Sequence, residues 1–531
     1  MMIMPVLRAA ILTLLFLSCL AHAQTRTVDL RGENNSFSIS AGTSFSASAG
    51  KEGKPADVPG RKIPAVRPII SDLDELLRLV KGNHVSAAKL KSQTLVSAAI
   101  TSMLGQLDPH SNYYDPSEYQ ELVDDQQGRY TGIGTTISSY SKNGVVETFV
   151  LASSKNTPAH RAGLRFGDRI VDVDGIPVTG LDSLDVRDRL RGPIGTTARV
   201  TIERADGTLL RNIPIRRETV SQNSVTNSLL LDGGVGYIAL TEGFGYTTFA
   251  EFTSSFSSLK QGGMTSLILD LRGNGGGLMD EAIRIAEKFL PNGQMIVSER
   301  GRHPADDRVW RSTNLRPEKV PLVLLVDGVT ASASEIIAGA MQDNDRAVIV
   351  GTRTFGKGLV QDLIPLSDGS MLTLTTERYY TPSGRSIQRE YSDAGLYDYF
   401  RHTNKADLID RSATAVRTRK GRIVYGGDGI EPDLLVKGFE FTSQRADLTD
   451  RLFFNVRSEK EEPMIDEFLK RFCEQQAAAS AKCNDDLPFL RSQLMQFRSY
   501  KSGHEVSAEI AVLKADPQVE AALKTLSRRN Q

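Results

Sequence analysis

A serine at a strand-to-helix junction is the first group in the sequence that could do chemistry. Ser332 lies in the segment TASASEIIAGAMQD, which starts at Thr330 shortly after the apolar run VPLVLLVDG. Backbone N–H groups at the start of a helix are unpaired and favour negative charge, so a nucleophile there would have its oxyanion stabilised. The spacing of Ser332 and Glu335 also fits a helix capping box, S-x-x-E, and on these residues alone both interpretations stay open.

Two further segments carry groups suited to catalysis. Lys357 is flanked by glycines in TRTFGKGLVQ, 352–361. A lysine in an apolar site loses its proton more easily and can act as a general base, although a lysine between two glycines is also common in turns. The run DLRGNGGGL, 270–278, lets backbone amides approach a ligand closely. It is not a dinucleotide fingerprint, which would need glycine in place of Leu278, and no Gly-Lys-Ser/Thr follows to make a P-loop.

The composition restricts the classes of partner. The 531 residues include 64 Lys plus Arg and 64 Asp plus Glu, so the net charge is zero. This balance argues against general affinity for nucleic acid or anionic lipid. Seven His and three Cys leave little room for a zinc cluster or a disulfide scaffold. The composition predicts a soluble protein of several domains, with no metal site and no nucleic-acid partner.

The N-terminus has the pattern of an export signal. Residues 1–23 carry one positive charge and an apolar run, and they end in Ala-His-Ala, which suits cleavage before Gln24. An uncleaved anchor and a lipoprotein modified at Cys19 are the alternatives, the second poorly supported by its flanking residues. Residues 24–63 are rich in Ser, Gly and Ala and predict a disordered tether. We therefore expect an exported, soluble protein.

The remaining chain falls into four successive regions with different sequence patterns. Helical periodicity is followed by short β-runs with glycine turns, then by strands that alternate with helices, then by polar helices to the end. In an oxidising compartment Cys473 and Cys483 could form a local disulfide, and two unpaired thiols are the alternative. The predicted regions are an N-terminal helical region (64–128), a mostly β module (129–219), an α/β domain (220–440) and a C-terminal helical extension (441–531).

Four blocks in order carry a resemblance to a known family. They are LDPHSNYY (107–114), YTGIG (130–134), LDLRGNGGGL, and the segment from Ser332 to Lys357 with its flanks. Together they resemble the C-terminal processing peptidases, or tail-specific proteases, over residues 66–436. The resemblance implies a multidomain α/β protein. Its catalytic domain would be crotonase/Clp-protease-like, with an embedded mostly β PDZ domain and helical terminal regions.

The resemblance also assigns roles to residues. It implies that Ser332 is the nucleophile, Lys357 the general base and Gln361 the residue that orients the lysine. Backbone N–H groups of Ala333 and of a glycine in the GNGGG run would form the oxyanion hole. Gly276 is the best-aligned glycine, with Gly277 next. No cofactor is implied.

In the PDZ-like module the resemblance makes YTGIG a carboxylate-binding loop. Gly132, Ile133 and Gly134 would hold the free C-terminus of a peptide, which adds as an extra strand at the sheet edge. The implied protein is a serine endopeptidase that acts on proteins with free C-termini, exported most simply to a bacterial periplasm. Residues 441–531 could mediate a homodimer or bind an adaptor.

Two other functions remain compatible with these residues. One is a PDZ-based peptide-binding adaptor with an inert protease domain, which would bind C-terminal peptides without turnover. The other is an acyl-transfer or CoA-type enzyme, since a strand-GNGGG-helix loop serves as an oxyanion hole elsewhere. The second explains neither the PDZ-like module nor the pair Ser332 and Lys357.

Overall fold

The computed structural model describes residues 66–391, 399–400, 414–440, 442–476, 480–503 and 506–529. The predicted signal sequence (1–23) and tether (24–63) lie outside the described residues. Two compact units separate between Leu107 and Asp108. In the described parts of the chain, no helix is both long and apolar enough to cross a membrane.

The first unit is helical. Its helices are α1 (Val66–Asn83) and α2 (Ser92–Leu104), with a short 3-10 turn at Ala87–Lys89 between them. Gly105 ends α2, and its N–H donates to the Thr101 carbonyl at 2.9 Å. The unit boundary falls inside the region predicted as 64–128, so that region is divided between the two units.

The second unit begins with the segment that follows the boundary. Its first elements are β1 (Asn112–Tyr114) and α3 (Pro116–Gln126). Asp115 caps α3 in a full capping box with Glu118. β1 pairs antiparallel with a strand that spans Met371–Tyr380, so Asn112 faces Thr373. Residues 108–126 therefore belong to the sheet system of the later α/β domain.

The predicted β module forms a compact antiparallel sheet. Its elements are β2 (Arg129–Gly132), β3 (Thr135–Lys142), β4 (Val145–Ser153), α4 (Pro158–Arg161), β5 (Arg169–Val173), β6 (Ile176–Pro177), α5 (Ser183–Leu190), β7 (Thr197–Glu203), β8 (Leu209–Arg216) and β9 (Glu218–Ser221). The strand order is β3-β4-β5-β7-β8, with β6 on β5 and a separate ladder of β2 with β9. Val150, Ile170 and Ile202 are fully buried in its core. β3 lies at one end of this order.

The α/β domain contains a main sheet and a second sheet. Its elements are β10 (Asn227–Leu231), β11 (Val235–Ala239), α6 (Thr248–Gln261), β12 (Ser266–Asp270), α7 (Met279–Glu287), β13 (Met295–Gly301), β14 (Arg308–Arg311), β15 (Leu322–Val326), α8 (Ala333–Asp343), β16 (Val348–Gly351), β17 (Leu359–Pro365), β18 (Met371–Tyr380), β19 (Val416–Arg417), β20 (Ile423–Val424) and β21 (Leu434–Leu435). The main sheet has the order β10-β11-β12-β15-β16-β21. Its neighbours are parallel except β10 and β11. The predicted α/β fold with a largely parallel sheet is confirmed.

Both faces of the main sheet are covered, which explains why its strands are continuous apolar runs. Successive side chains point to opposite faces. Leu267 and Leu269 face a core built with α6, α7 and α8. Ile268 faces the other side. The second sheet, β1-β18-β13-β14 with β17 on β18, lies beside this core.

The C-terminal helical extension packs on two parts of the molecule. Its helices are α9 (Ser443–Ser458), α10 (Ile465–Glu474), α11 (Ser480–Asp485), α12 (Leu487–Ser502), α13 (Val506–Lys514) and α14 (Pro517–Arg529). Phe453 of α9 stacks on Tyr140 of β3, with ring centroids 3.9 Å apart. Leu526 of α14 is buried against the main sheet. Cys473 and Cys483 form a disulfide, so the disulfide alternative of the two predicted from sequence is the observed one.

Candidate active site

Ser332 occupies a sharp turn between β15 and α8. Its φ of 56° and ψ of −119° lie in a region that residues other than glycine rarely adopt. The serine turn, residues 327–332, is held by Asp327, whose carboxylate accepts from the N–H groups of Val329 and Thr330 at 3.0 Å each. Such strain persists only where the surroundings fix it, and it is common at catalytic turns. Ser332 is partly exposed between buried neighbours.

Ser332 and Glu335 occupy the N-cap and N3 positions of α8, as the capping-box spacing predicts, and Glu335 makes its half of the box. Ser332 N–H donates to Glu335 Oε2 at 2.9 Å, and Glu335 N–H donates to the Ser332 carbonyl at 2.8 Å. Both of these bonds use the backbone of Ser332. The capping interpretation is therefore compatible with a chemical role for the hydroxyl.

Glu335 also holds the loop that carries Lys357. Its fully buried carboxylate accepts from Gly356 N–H at 2.8 Å, from Lys357 N–H at 2.9 Å and from the Thr354 hydroxyl. The backbone nitrogens of Ser332 and Lys357 donate to the same oxygen, Oε2. One carboxylate thus joins the serine turn to the lysine loop.

Tyr379 joins the same two segments through their carbonyl groups. Its hydroxyl donates to the Lys357 carbonyl at 2.6 Å, and the Ser332 carbonyl lies 3.0 Å away as a second acceptor. The ring is 1% exposed, so this contact is shielded from water. Neither Tyr379 nor the linking role of Glu335 follows from the sequence. Tyr379 is far from Ser332 in the chain and lies outside the four blocks, whereas Glu335 offered only its capping spacing.

The electrostatics of Lys357 favour its neutral form. Burial lowers its pKa to about 8, while the carboxylates of Asp108 and Glu335 oppose this change. Burial also raises the pKa of Glu335 to about 7, against the hydrogen bonds that its carboxylate accepts. The pKa of His110 is lowered well below its ordinary value by burial and by Lys357. Lys357 can therefore lose its proton and become a neutral amine at mildly alkaline pH.

Gln361 lies in a hydrogen-bonded chain that ends at Asp108. Its side-chain amide donates to the Thr375 hydroxyl at 3.1 Å, which donates to Asp108 Oδ1 at 3.1 Å. Asp108 Oδ1 also accepts from the N–H groups of His110 and Ser111 at 2.8 Å. The block LDPHSNYY therefore contributes Asp108 to the environment of Lys357, where the carboxylate acts on the lysine's pKa. Its sequence pattern carried the family resemblance but predicted no role for Asp108.

Gly276 lies directly against the serine turn. Its φ is 99°, and a Cβ atom added there would lie 2.7 Å from the Ser332 Cβ and 3.0 Å from the Ala333 nitrogen. Only glycine fits such a close approach of two backbones. Ala333 is the first residue of α8, where N–H groups have no intrahelical acceptor. The structure brings together Ser332 and both residues predicted for the oxyanion hole.

The amide of Gly276 has an acceptor in this structure. Its N–H donates to Asn274 Oδ1 at 2.8 Å. Asn274 is fully buried, and its amide donates to the Leu240 and Glu242 carbonyls at 2.6 Å each. We call residues 271–277 the glycine loop, and it is anchored at the end of β11 through Asn274. Gly277, the second candidate, is exposed and approaches the backbone of Phe244.

The predicted peptide-binding residues lie at the start of the edge strand β3. Gly132 ends β2, and Ile133 and Gly134 connect it to β3. The Ile133 side chain is buried in the module core, and the Ile133 carbonyl accepts from Ala159 N–H at 2.8 Å. Gly134 has φ of 77°, and a Cβ atom there would clash with Thr157. The loop is thus packed against the core of the module, and it is distant in sequence from the Ser332 site.

Comparison with known proteins defines the class. The profile of the PDZ domain matches residues 149–204, and that of peptidase family S41 matches residues 234–395. The protein is a serine-type peptidase with a PDZ domain. Ser332, Lys357, Gln361, Gly276 and Ala333 lie inside the S41 range, whereas 132–134 precede the PDZ range.

Similar proteins specify the family further. The chain is 38% identical over 302 residues to the carboxy-terminal-processing protease of Bartonella bacilliformis, covering 56% of this chain and 68% of that protein. It is 34% identical over 305 residues to the carboxyl-terminal-processing protease of Picosynechococcus sp., with 56% and 72% covered. The corresponding Synechocystis sp. protease is 32% identical over 353 residues, with 64% and 81% covered. The chain belongs to peptidase family S41, among the carboxy-terminal processing proteases, which confirms the family resemblance.

Proposed function

We propose that the protein is an exported endopeptidase that binds protein C-termini through its PDZ domain and cleaves with a Ser332/Lys357 dyad. The observation that carries this proposal is the double connection between the two residues. Glu335 binds the N–H groups of both, and Tyr379 contacts the carbonyl oxygens of both. This arrangement fixes the backbone of a strained serine relative to that of a half-buried lysine.

The proposed reaction passes through an acyl-enzyme. Neutral Lys357 takes the proton from Ser332 Oγ, which attacks the scissile carbonyl carbon. The resulting tetrahedral intermediate expels the amine, which receives the proton from the lysine. Water, deprotonated by the same lysine, then attacks the ester and releases the peptide. Glu335 and Tyr379 act as positioning residues, because their hydrogen bonds to the dyad are made with its backbone atoms.

The oxyanion would be bound by backbone amides. Ala333 N–H lies at the start of α8, where the helix dipole favours negative charge. Gly276 N–H is the second donor, and it would turn from Asn274 Oδ1 toward the substrate or be shared between both acceptors. Removing one such donor typically costs about 10²–10³-fold in rate.

Recognition of a C-terminus would use the edge of the PDZ sheet. β3 is the end strand, so a peptide can add beside it in an extended conformation. The N–H groups of Ile133 and Gly134 would hold the terminal carboxylate. Charge-assisted hydrogen bonds of this kind contribute about 1.5–3 kcal/mol each.

Blocking the substrate's C-terminus is therefore expected to impair cleavage. A peptide with a free carboxylate and its C-terminal amide, identical at the cleavage site, should differ by about tenfold or more in kcat/KM. A short ester substrate that does not reach the PDZ domain serves as the control for an intact active site. Equal kcat/KM values for the free acid and the amide would show that the enzyme does not recognise the C-terminal carboxylate of its substrate.

Activity is expected to rise with pH, because only neutral Lys357 can accept a proton. With its pKa at about 8, kcat/KM should increase through that pH and level off above it. Asp108→Asn removes a carboxylate that raises this pKa, so the midpoint should move to lower pH. Asparagine keeps an oxygen for the backbone N–H groups of His110 and Ser111. The measurement is the pH profile of peptide cleavage.

A matched variant separates this effect from general changes in charge. Asp232 pairs with Lys514 on the surface, so Asp232→Asn removes a carboxylate away from the dyad. Its pH profile should match that of the parent enzyme. A midpoint that stays unchanged in Asp108→Asn, or moves upward, contradicts the assignment of Lys357 as the base.

Export and assembly complete the proposal. Residues 1–23 carry the export signal, and a bacterial periplasm is the proposed location. The similar proteins named above come from bacteria, which supports a bacterial location. A homodimer or an adaptor would use exposed parts of the C-terminal helical extension, for example near Met464, which is 78% exposed.

A further inference from the structure

The C-terminal helical extension reaches the loop that carries Gly276. The extension lies beyond both matched family ranges, which end at residues 204 and 395. Val519, Ala522 and Leu526 of α14 are fully buried against the main sheet. α14 is therefore an integral layer of the catalytic domain, and its first residues lie next to the end of β12.

Arg272 connects this helix to the glycine loop. Its Nη1 donates to Asp516 Oδ2 at 2.6 Å and to Gln518 Oε1 at 2.7 Å. Its Nε and Nη2 donate to Asp270, the last residue of β12. A planar guanidinium bound from both sides has a fixed orientation. Arg272 belongs to the glycine loop and lies four residues before Gly276. Fixing the Arg272 side chain therefore restricts the position of the loop backbone.

The acceptors at the start of α14, the capping residue Asp516 and Gln518, are themselves fixed. Asp516 Oδ1 caps the helix by accepting from Gln518 N–H at 2.8 Å and Val519 N–H at 3.2 Å. Gln518 is 3% exposed, and its amide donates to the Val436 carbonyl at 2.8 Å. Asp516 Oδ1 therefore caps the helix, whereas Oδ2 accepts the hydrogen bond from Arg272.

The other side of the glycine loop is bound to the serine turn. Gly273 N–H donates to the Asp327 carboxylate at 3.1 Å, and Ala331 N–H donates to the Asn274 carbonyl at 2.9 Å. The glycine loop is therefore held between α14 and the turn that carries Ser332. Releasing the Arg272 side would leave the loop attached to the serine turn and, through Asn274, to the end of β11, with no contact to α14.

We propose that the contact of Arg272 with Asp516 and Gln518 lets the C-terminal helix α14 position the glycine loop against Ser332. The proposal rests on the function proposed above, because it assigns this loop to oxyanion binding. Breaking the contact should weaken stabilisation of the transition state and leave peptide docking intact. Arg272, Asp516 and Gln518 are positioning residues, since they act through Gly276.

Asp516→Asn is the most direct test. The cap can be kept by the asparagine oxygen, while an amide –NH₂ facing Arg272 removes the acceptor and the charge. Complete loss of an oxyanion donor costs about 10²–10³-fold. Displacement of the loop should therefore lower kcat on a C-terminal peptide by about tenfold to a hundredfold, with KM unchanged. Hydrogen exchange of the 271–277 amides should become faster.

Two control variants separate positioning from stability. Lys514→Ala breaks the ion pair with Asp232, another contact of the extension with the catalytic domain, and should keep the parent kcat. Leu526→Ala opens a cavity at the opposite end of α14 and should lower Tm while keeping kcat in the folded enzyme. The proposal is overturned if Asp516→Asn retains the parent kcat. It is also overturned if all three variants lose kcat in proportion to Tm.

A second variant covers the case in which Asp516→Asn does not fold. Gln518→Leu removes one acceptor of Arg272 and keeps the helix cap, so kcat should again fall at constant KM. If Gln518→Leu retains the parent kcat, the proposal is wrong. Failure of the proposed function is detected separately, because it would leave Ser332→Ala active. Inactive Ser332→Ala together with unaltered Asp516→Asn and Gln518→Leu would overturn the positioning role alone.

Discussion

Replacing Ser332 with alanine is expected to lower kcat for peptide cleavage by about 10⁴-fold or more. The variant loses the nucleophile, so no acyl-enzyme can form, and the remaining amides and base cannot replace it. Folding should be intact, because the contacts of Ser332 to Glu335 and Tyr379 use its backbone. The measurements are turnover of a peptide with a free C-terminus, labelling by a serine-reactive phosphonate, and Tm.

Ser334 provides a matched control two residues further along. It is fully buried in α8, and its hydroxyl has no hydrogen-bond partner among the described residues. Ser334→Ala removes the same group from the same segment without touching the dyad, so it should keep kcat within about threefold of the parent. If Ser332→Ala cleaves at the parent rate, or if Ser334→Ala is the inactive variant, the nucleophile is wrongly assigned.

Replacing Lys357 with methionine is expected to have the second-largest effect. The thioether fills a similar volume but cannot accept a proton, so general-base catalysis worth about 10²–10⁴-fold is lost. Lys357→Arg should be as inactive, because a guanidinium stays protonated at every accessible pH. The rise of activity through pH 8 should disappear in the residual rate of both variants. The measurement is kcat over a pH series, with Tm for each variant.

A surface lysine serves as the comparison for this loss. Lys260 pairs with Glu318 at 2.7 Å and is about half exposed, so Lys260→Met should leave kcat and its pH profile unchanged. Full activity in Lys357→Arg would contradict a neutral amine as the proton acceptor. It would direct attention to His110, whose pKa is lowered by its burial and which hydrogen bonds to Tyr399 at 2.9 Å.

The α/β domain was predictable because its local patterns agree with its tertiary structure. VPLVLLVDG is an apolar run, and β15 within it is buried on both faces. Helical periodicity after it predicted α8, and the S-x-x-E spacing predicted its cap. The division of the N-terminal helical region at Asp108 was not predictable. It depends on pairing of Asn112 with Thr373, a contact that no local pattern encodes.

In the C-terminal extension, too, the tertiary contacts could not be predicted from local sequence patterns. Its polar helical texture predicted helices, and a partner outside the chain was one expectation for their apolar faces. The structure buries Phe453 on the PDZ sheet and Leu526 on the catalytic sheet. A helix can be recognised from its own periodicity, but the surface that covers it belongs to a distant part of the chain.

The sequence by itself determined the class of protein and the candidates for its chemistry. Ser332 and Lys357 became candidates through local features, a strand-turn-helix and a glycine-flanked lysine, and the resemblance carried by the four blocks assigned their roles. Only the tertiary structure decided what surrounds them. Glu335, Tyr379 and Asp108 come from three separate segments and meet at the dyad, and Arg272 meets α14 across 244 residues. Burial and hydrogen bonding arise from such non-local contacts, so the pKa of Lys357 and the support of the glycine loop appear only after folding.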